Sequence, residues 1–132
     1  MSIFDDLGAE QERLEKILIG LDDAQWRSPS AAQGWTIADV VLHLAQSEEA
    51  VVATVAHRPP RPGLGAVSGN TVEEWADNAV RMERAAPAEV FGRWQRVRQA
   101  ALAGLREADP DRPVEWMVGT VKPATLATSR LA

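Results

Sequence analysis

The 132-residue chain has no cysteine. This excludes a disulfide framework, a thiolate zinc site and a thiol nucleophile. Lysine is nearly missing, with Lys16 and Lys122 the only two, and arginine carries most of the positive charge. The formal net charge is −5. Basic residues are scattered except at Arg93, Arg96 and Arg98, a spacing that reads as the solvated side of a helix and not as a nucleic-acid footprint. No apolar run approaches the roughly 18 residues of a membrane span. The opening Met1-Ser2-Ile3-Phe4-Asp5-Asp6 has neither the basic nor the apolar stretch of a secretory signal, so a cytoplasmic location is expected. Histidine is scarce too, at His43 and His57. With two so placed, no Ser-His-Asp triad can be assembled, and no glycine-rich phosphate loop follows a strand.

What is present is ordinary for a globular protein: 45% hydrophobic and 25% charged residues. The length suits a single domain over residues 1–132 with one core. Ser2 and Asp5 form an N-terminal capping pair, and Ile3, Leu7, Leu14, Ile17, Leu18 and Leu21 recur at helical spacing, giving a helix over about 3–20. Asp22 caps one more turn through Trp26. Thr36 and Asp39 repeat the capping pair ahead of a second long helix, about 37–57, which must stop before Pro59-Pro60. The proline- and glycine-rich stretch 58–70 reads as a loop. Thr71 and Glu74 open a helix over about 72–84, and Pro87 suits the first position of another over about 87–107. Residues 111–121 read as irregular or weakly extended, with no convincing strand pair. Pro123 opens a last helix of about ten residues. The class is all-α, an antiparallel four-helix bundle with a truncated last helix.

Three stretches resemble a known family: "LDDAQWRSPSAAQGWTIADVVLHLAQSEEA", "RWQRVRQAALAGLREADPDRPVEW" and "KPATLATSRLA". They are similar to the DinB-like superfamily, and more closely to actinobacterial proteins related to the metal-binding N-terminal domain of mycothiol-dependent maleylpyruvate isomerase. The most distinctive part is Gly34-Trp35-Thr36 followed by His43. The resemblance implies that His43 is one of three ligands of a divalent metal, zinc or nickel. It places the other two on the last helix, just after an Arg-Leu pair. Here Arg130-Leu131 is followed only by Ala132, so those positions are absent from this sequence. The expectation is a piece of a longer protein or an incomplete metal site.

Read from the residues alone, His43 interrupts an apolar run and is either a core histidine or a pocket residue. His57 lies 14 residues on, about 21 Å along a helix, too far to share an ion with it. Glu48 falls within the apolar stripe of the second helix and needs a partner there, either an arginine of a neighbouring helix or a ligand. Ser47 shares the face of His43 and is placed to orient its imidazole or touch a ligand. Trp35 belongs at the start of the second helix, and Trp116 is the best candidate for a pocket wall. The candidate site is thus His43 for metal and Trp116, Glu48, Ser47 and Trp35 for substrate.

Three functions compete. By resemblance the chain is a metal-dependent isomerase or thiol transferase acting on small electrophiles, with a low-molecular-weight thiol as partner. Alternatively it is a metal-free small-molecule binder or biosynthetic enzyme reusing the bundle pocket, or a non-catalytic interaction module. A short last helix would leave a groove lined by Leu14, Leu18, Val51 and Val55 bare, so a homodimer or higher oligomer is expected to close it.

Overall fold

The computed structural model describes residues 2–56, 71–116 and 119–131, with the side chains at 72, 115, 116, 120 and 129–131 outside the description. His57 and the expected loop at 58–70 lie outside it as well. Among the described residues, six helices and one small hairpin follow in chain order: α1 (Ile3–Ile19), α2 (Asp23–Trp26), α3 (Ile37–Val55), α4 (Val72–Glu83), α5 (Pro87–Glu107), β1 (Val114–Trp116), β2 (Gly119–Val121) and α6 (Pro123–Leu131).

The helix starts follow from side-chain chemistry. Ser2, Asp22 and Thr36 each accept the N–H three residues on, while Asp5, Gln25 and Asp39 return the bond to the cap backbone. Each such box satisfies two amides that the helix itself leaves open. Thr71 accepts the Glu74 N–H at 3.1 Å and starts α4. Pro87 starts α5, where its missing N–H costs nothing.

The bundle is built on α3 and α5, which pack along each other. At one end they come so close that a Cβ on Gly104 would sit 2.9 Å from Val55 Cγ2, so a larger residue there would force Val55 to shift. One layer of core gathers Leu18, Trp26, Val41, Leu42, Val90 and Trp94. The other gathers Leu7, Val51, Ala101, Leu105, Val114 and Leu126. Aromatic contacts join α2 to α5: Trp26 and Phe91 lie 5.5 Å apart, and Phe91 stacks on Trp94 at 6.2 Å.

Three expectations are corrected. First, Val114–Trp116 and Gly119–Val121 form an antiparallel pair, with Val114 opposite Val121. Strands of three residues are too short to show alternation in sequence, and this pair is held by burial of Val114 at one end. Second, the groove is not bare. Val51 and Leu18 are buried, and Leu14 and Val55 pack against the two core layers. The hairpin and α6 share the layer of Val51 and Val55, and Leu14 and Leu18 pack in the layer built with α2, α3 and α5, so the groove gives no reason for a homo-oligomer. Third, the arginine cluster is not a solvated face. Arg98 is 5% exposed, bonds Glu15 at 3.0 Å and lies 5.5 Å over the Trp94 ring. Arg93 is held between Glu49 and Glu83, and only Arg96 of the three is exposed.

Sealing by α6 makes a quantitative expectation. Leu126 is 1% exposed in the layer of Leu7 and Val51. Leu126→Ala should cost about 2–5 kcal/mol in urea unfolding, the range for a buried leucine. A loss within error of zero would mean that α6 does not close the core.

Candidate functional site

The segment leading into α3 is fixed by its own hydrogen bonds. Ser30 N–H donates to the Trp35 carbonyl at 2.9 Å, Trp35 N–H to the Ala32 carbonyl at 3.1 Å, and Ile37 N–H to the Ser28 carbonyl at 3.0 Å. The Ser30 hydroxyl donates to the same Trp35 carbonyl at 2.9 Å. Gly34 turns the chain with φ of +81°, a conformation that a side chain would strain. The result is a short rigid loop that delivers Trp35 beside α3.

There the Trp35 ring meets the imidazole of His43, with centroids 5.3 Å apart and planes tilted by 46°. The indole N–H donates to Asp77 Oδ1 on α4 at 2.9 Å. The other carboxylate oxygen of Asp77 accepts from Arg81 Nε at 2.8 Å. Arg84, just past α4, donates to the Gly34 carbonyl at 3.0 Å and to both oxygens of Asp39 at 3.1 and 3.2 Å. The loop before α3 and the N-terminal turn of α3 are thus clamped to α4 by two carboxylate–arginine systems.

Around the α3 axis the polar residues are largely accounted for. The Ser47 hydroxyl donates to the His43 carbonyl at 2.9 Å, a bond to the helix backbone and not to the imidazole. Gln46 Nε2 donates to the Ala79 carbonyl and to Glu83, both at 2.9 Å. Glu49 accepts two bonds of 2.7 Å from Arg93, which also reaches Glu83 at 3.0 Å. Glu49 foremost raises the Arg93 pKa, although burial opposes it. Glu48 is 3% exposed, and its Oε2 is shut away from solvent, as is Nδ1 of the half-buried His43.

A groove of about 420 Å³ lies between α3 and the start of α5, floored by Leu42 and Val90 and edged by Glu83, Arg93 and Arg96. His43 and Trp35 do not line it. Among the described residues, no three His, Cys, Asp or Glu side chains are grouped so as to hold a metal ion.

The profile of the mycothiol maleylpyruvate isomerase N-terminal domain matches residues 7–132. The chain belongs to that family. Similar curated proteins are two uncharacterized proteins of Mycobacterium tuberculosis, from strains CDC 1551 / Oshkosh and ATCC 25618 / H37Rv. Each is 28% identical over 127 residues, covering 96% of this chain and 49% of the relative. The chain thus spans about half the length of the curated relatives it matches. Among solved structures, the mycothiol-dependent maleylpyruvate isomerase and a histidine-to-alanine mutant of it share the fold. Both have a TM-score of 0.72 at 16% and 15% identity, over 97% of this chain and 54% of theirs. The DinB-like, all-α architecture expected from the sequence is the one observed.

Of the residues singled out in the sequence, the structure brings His43 and Trp35 into contact and ties Ser47 to the His43 backbone. Glu48 lies five residues on, about 140° around the helix, and does not share the His43 face. The backbone of Trp116 is in β1, which packs against α3 in the layer of Val51, two turns C-terminal of His43. Its side chain lies outside the description. Sequence reading missed Asp77 and Arg84. The Asp77–Arg81 spacing of four was a visible signal of a helical ion pair, but nothing local shows that either residue reaches α3.

Asp77 also sets a pH dependence. Its carboxyl is held below its ordinary pKa, chiefly by the Arg81 hydrogen bond and then by the Trp35 N–H. A carboxylate with a lowered folded pKa contributes stability above its unfolded pKa, and that contribution is lost as pH falls through the folded value. Trp fluorescence should therefore be flat from neutral pH to about pH 4.5 and change below the usual carboxylate range near 3.9. In Asp77→Asn this step should be smaller. An identical acid profile in the two proteins would show that the indole is not held by this carboxylate.

Proposed function

We propose that the domain forms one part of a small-molecule site of the thiol-dependent isomerase or transferase type, with His43 as its polar pole. The observation that carries this reading is the half-buried imidazole held against Trp35 on a helix whose fold and family are those of the isomerase N-terminal domain. In this reading the partner is a low-molecular-weight thiol, the substrate is a small electrophile, and the setting is cytoplasmic. No described helix is long and apolar enough to cross a membrane. An imidazole can hold or release a proton near neutral pH, which suits binding and deprotonating a thiol. Trp35 covers one side of the ring and limits approach to the other. Ser47 acts through the backbone of His43, while Glu48, on another face of α3, takes no part in this reading.

The family resemblance implies a divalent ion, zinc or nickel. Catalytic zinc takes about three protein ligands. The described residues bring one imidazole to the place, so their donor set does not fit a tightly held ion. After dialysis, elemental analysis of the 132-residue chain should find far less than one zinc or nickel per molecule. A stoichiometric ion would require donors outside the described residues.

The site is tested by titrating N-acetylcysteine, a small thiol, against the protein and following backbone amide shifts. Binding should perturb residues around Trp35 and His43. His43→Ala should weaken it about tenfold, equivalent to about 1.4 kcal/mol, with unfolding little affected. Equal affinity in the two proteins would remove His43 from the site. Loss of several kcal/mol of stability with unchanged binding would make it a core residue.

A further inference from the structure

We infer that Asp77 is a positioning residue for His43, acting at second hand through the indole of Trp35. Trp35 precedes Thr36, the N-cap of α3, and so stands outside the helix. An indole has two rotatable bonds and a single polar atom with which to be held. That atom, Nε1, is engaged by Asp77 Oδ1 at 2.9 Å. The carboxylate is itself aimed by Arg81, whose Nε takes the other oxygen at 2.8 Å. A bond to a charged acceptor is shorter and stronger than one to a neutral group. The plane of the ring against His43 is therefore set from α4, by a residue 42 positions from Trp35 in sequence.

The loop that carries Trp35 is held by the same helix end. Arg84 grips the Gly34 carbonyl at 3.0 Å and also Asp39, in the first turn of α3. Trp35 is thus tethered at its backbone by one residue following α4 and at its ring by another within it. Releasing Asp77 frees the ring alone and leaves the backbone tether in place. This makes Asp77→Ala a selective probe: it should let the indole turn without unthreading the loop.

The test reads the imidazole of His43 directly by its ring carbon–proton resonances in NMR, assigned by their loss in His43→Ala. A tilted indole at 5.3 Å shifts those resonances by its ring current. Asp77→Ala should move them toward the position of an unstacked histidine. Asp77→Asn, which keeps an acceptor oxygen, should restore at least half of the displacement. In a Trp35→Phe background, where no N–H remains to be held, Asp77→Ala should move them no further. The proposal is overturned if Asp77→Ala leaves the resonances in place, if Asn fails to restore them, or if the Trp35→Phe background does not abolish the effect.

Where function is concerned the inference rests on His43 as the pole of the thiol site, and N-acetylcysteine binding should weaken in Asp77→Ala in step with the resonance change. The two readings fail separately. Thiol binding indifferent to His43→Ala retires the site but leaves a moved resonance in support of positioning. Resonances unmoved in Asp77→Ala retire the positioning whatever the thiol does.

Discussion

No position of α3 from Ile37 to Val55 is exposed. The helix nevertheless carries Asp39, His43, Gln46, Ser47, Glu48 and Glu49. Much of the rest of the fold is a response to this conflict. A charge or amide taken out of water must be met by a partner, or the cost exceeds what apolar packing returns. Hence Arg84 comes to Asp39, Arg93 to Glu49, the Ala79 carbonyl to Gln46, and the Ser47 hydroxyl back to its own helix. The partners lie mainly on α4 and α5. Those helices do more than cover an apolar stripe, because their registers are fixed by where their arginines and carbonyls must arrive.

The same conflict explains what could be seen in the sequence. The caps at Ser2, Asp22, Thr36 and Thr71 are local, spanning three residues, and they gave the helix starts. The prolines gave the start of α5 and of α6. The arginines at 93, 96 and 98 were misread because a cluster in sequence is spread around a helix, and its surroundings depend on other helices. Arg98 points to Glu15 of α1 and Arg93 to Glu49 of α3. The hairpin escaped notice because three residues per strand carry no period, and with it escaped the cover over Val51.

At the candidate site, His43 and Trp35 stood out in the sequence from the spacing that follows Gly34, while the contact between their rings was not among the expectations. The role of α4 was not legible. Asp77 and Arg81 look like an exposed helical ion pair, and that is half of what they are. Their other half is a bond across 42 residues to an indole. Such a contact is set by the packing of α4 against α3, and single-sequence patterning contains no measure of that distance. Family membership supplies the fold.

Finally, α6 packs against α1, and Arg106 at the end of α5 bonds Asp5 at 2.8 Å. The last helix of this chain thus rests on the first, and the seam between them joins segments separated by nearly its whole length. Contacts of that separation carry the largest loop-closure entropy, although the cost grows only with the logarithm of the loop. The pairing of α3 with α5, which closes a shorter loop, can form ahead of it. A seam completed late contributes little to the folding transition state, so what it stabilises is expressed in the rate of unfolding.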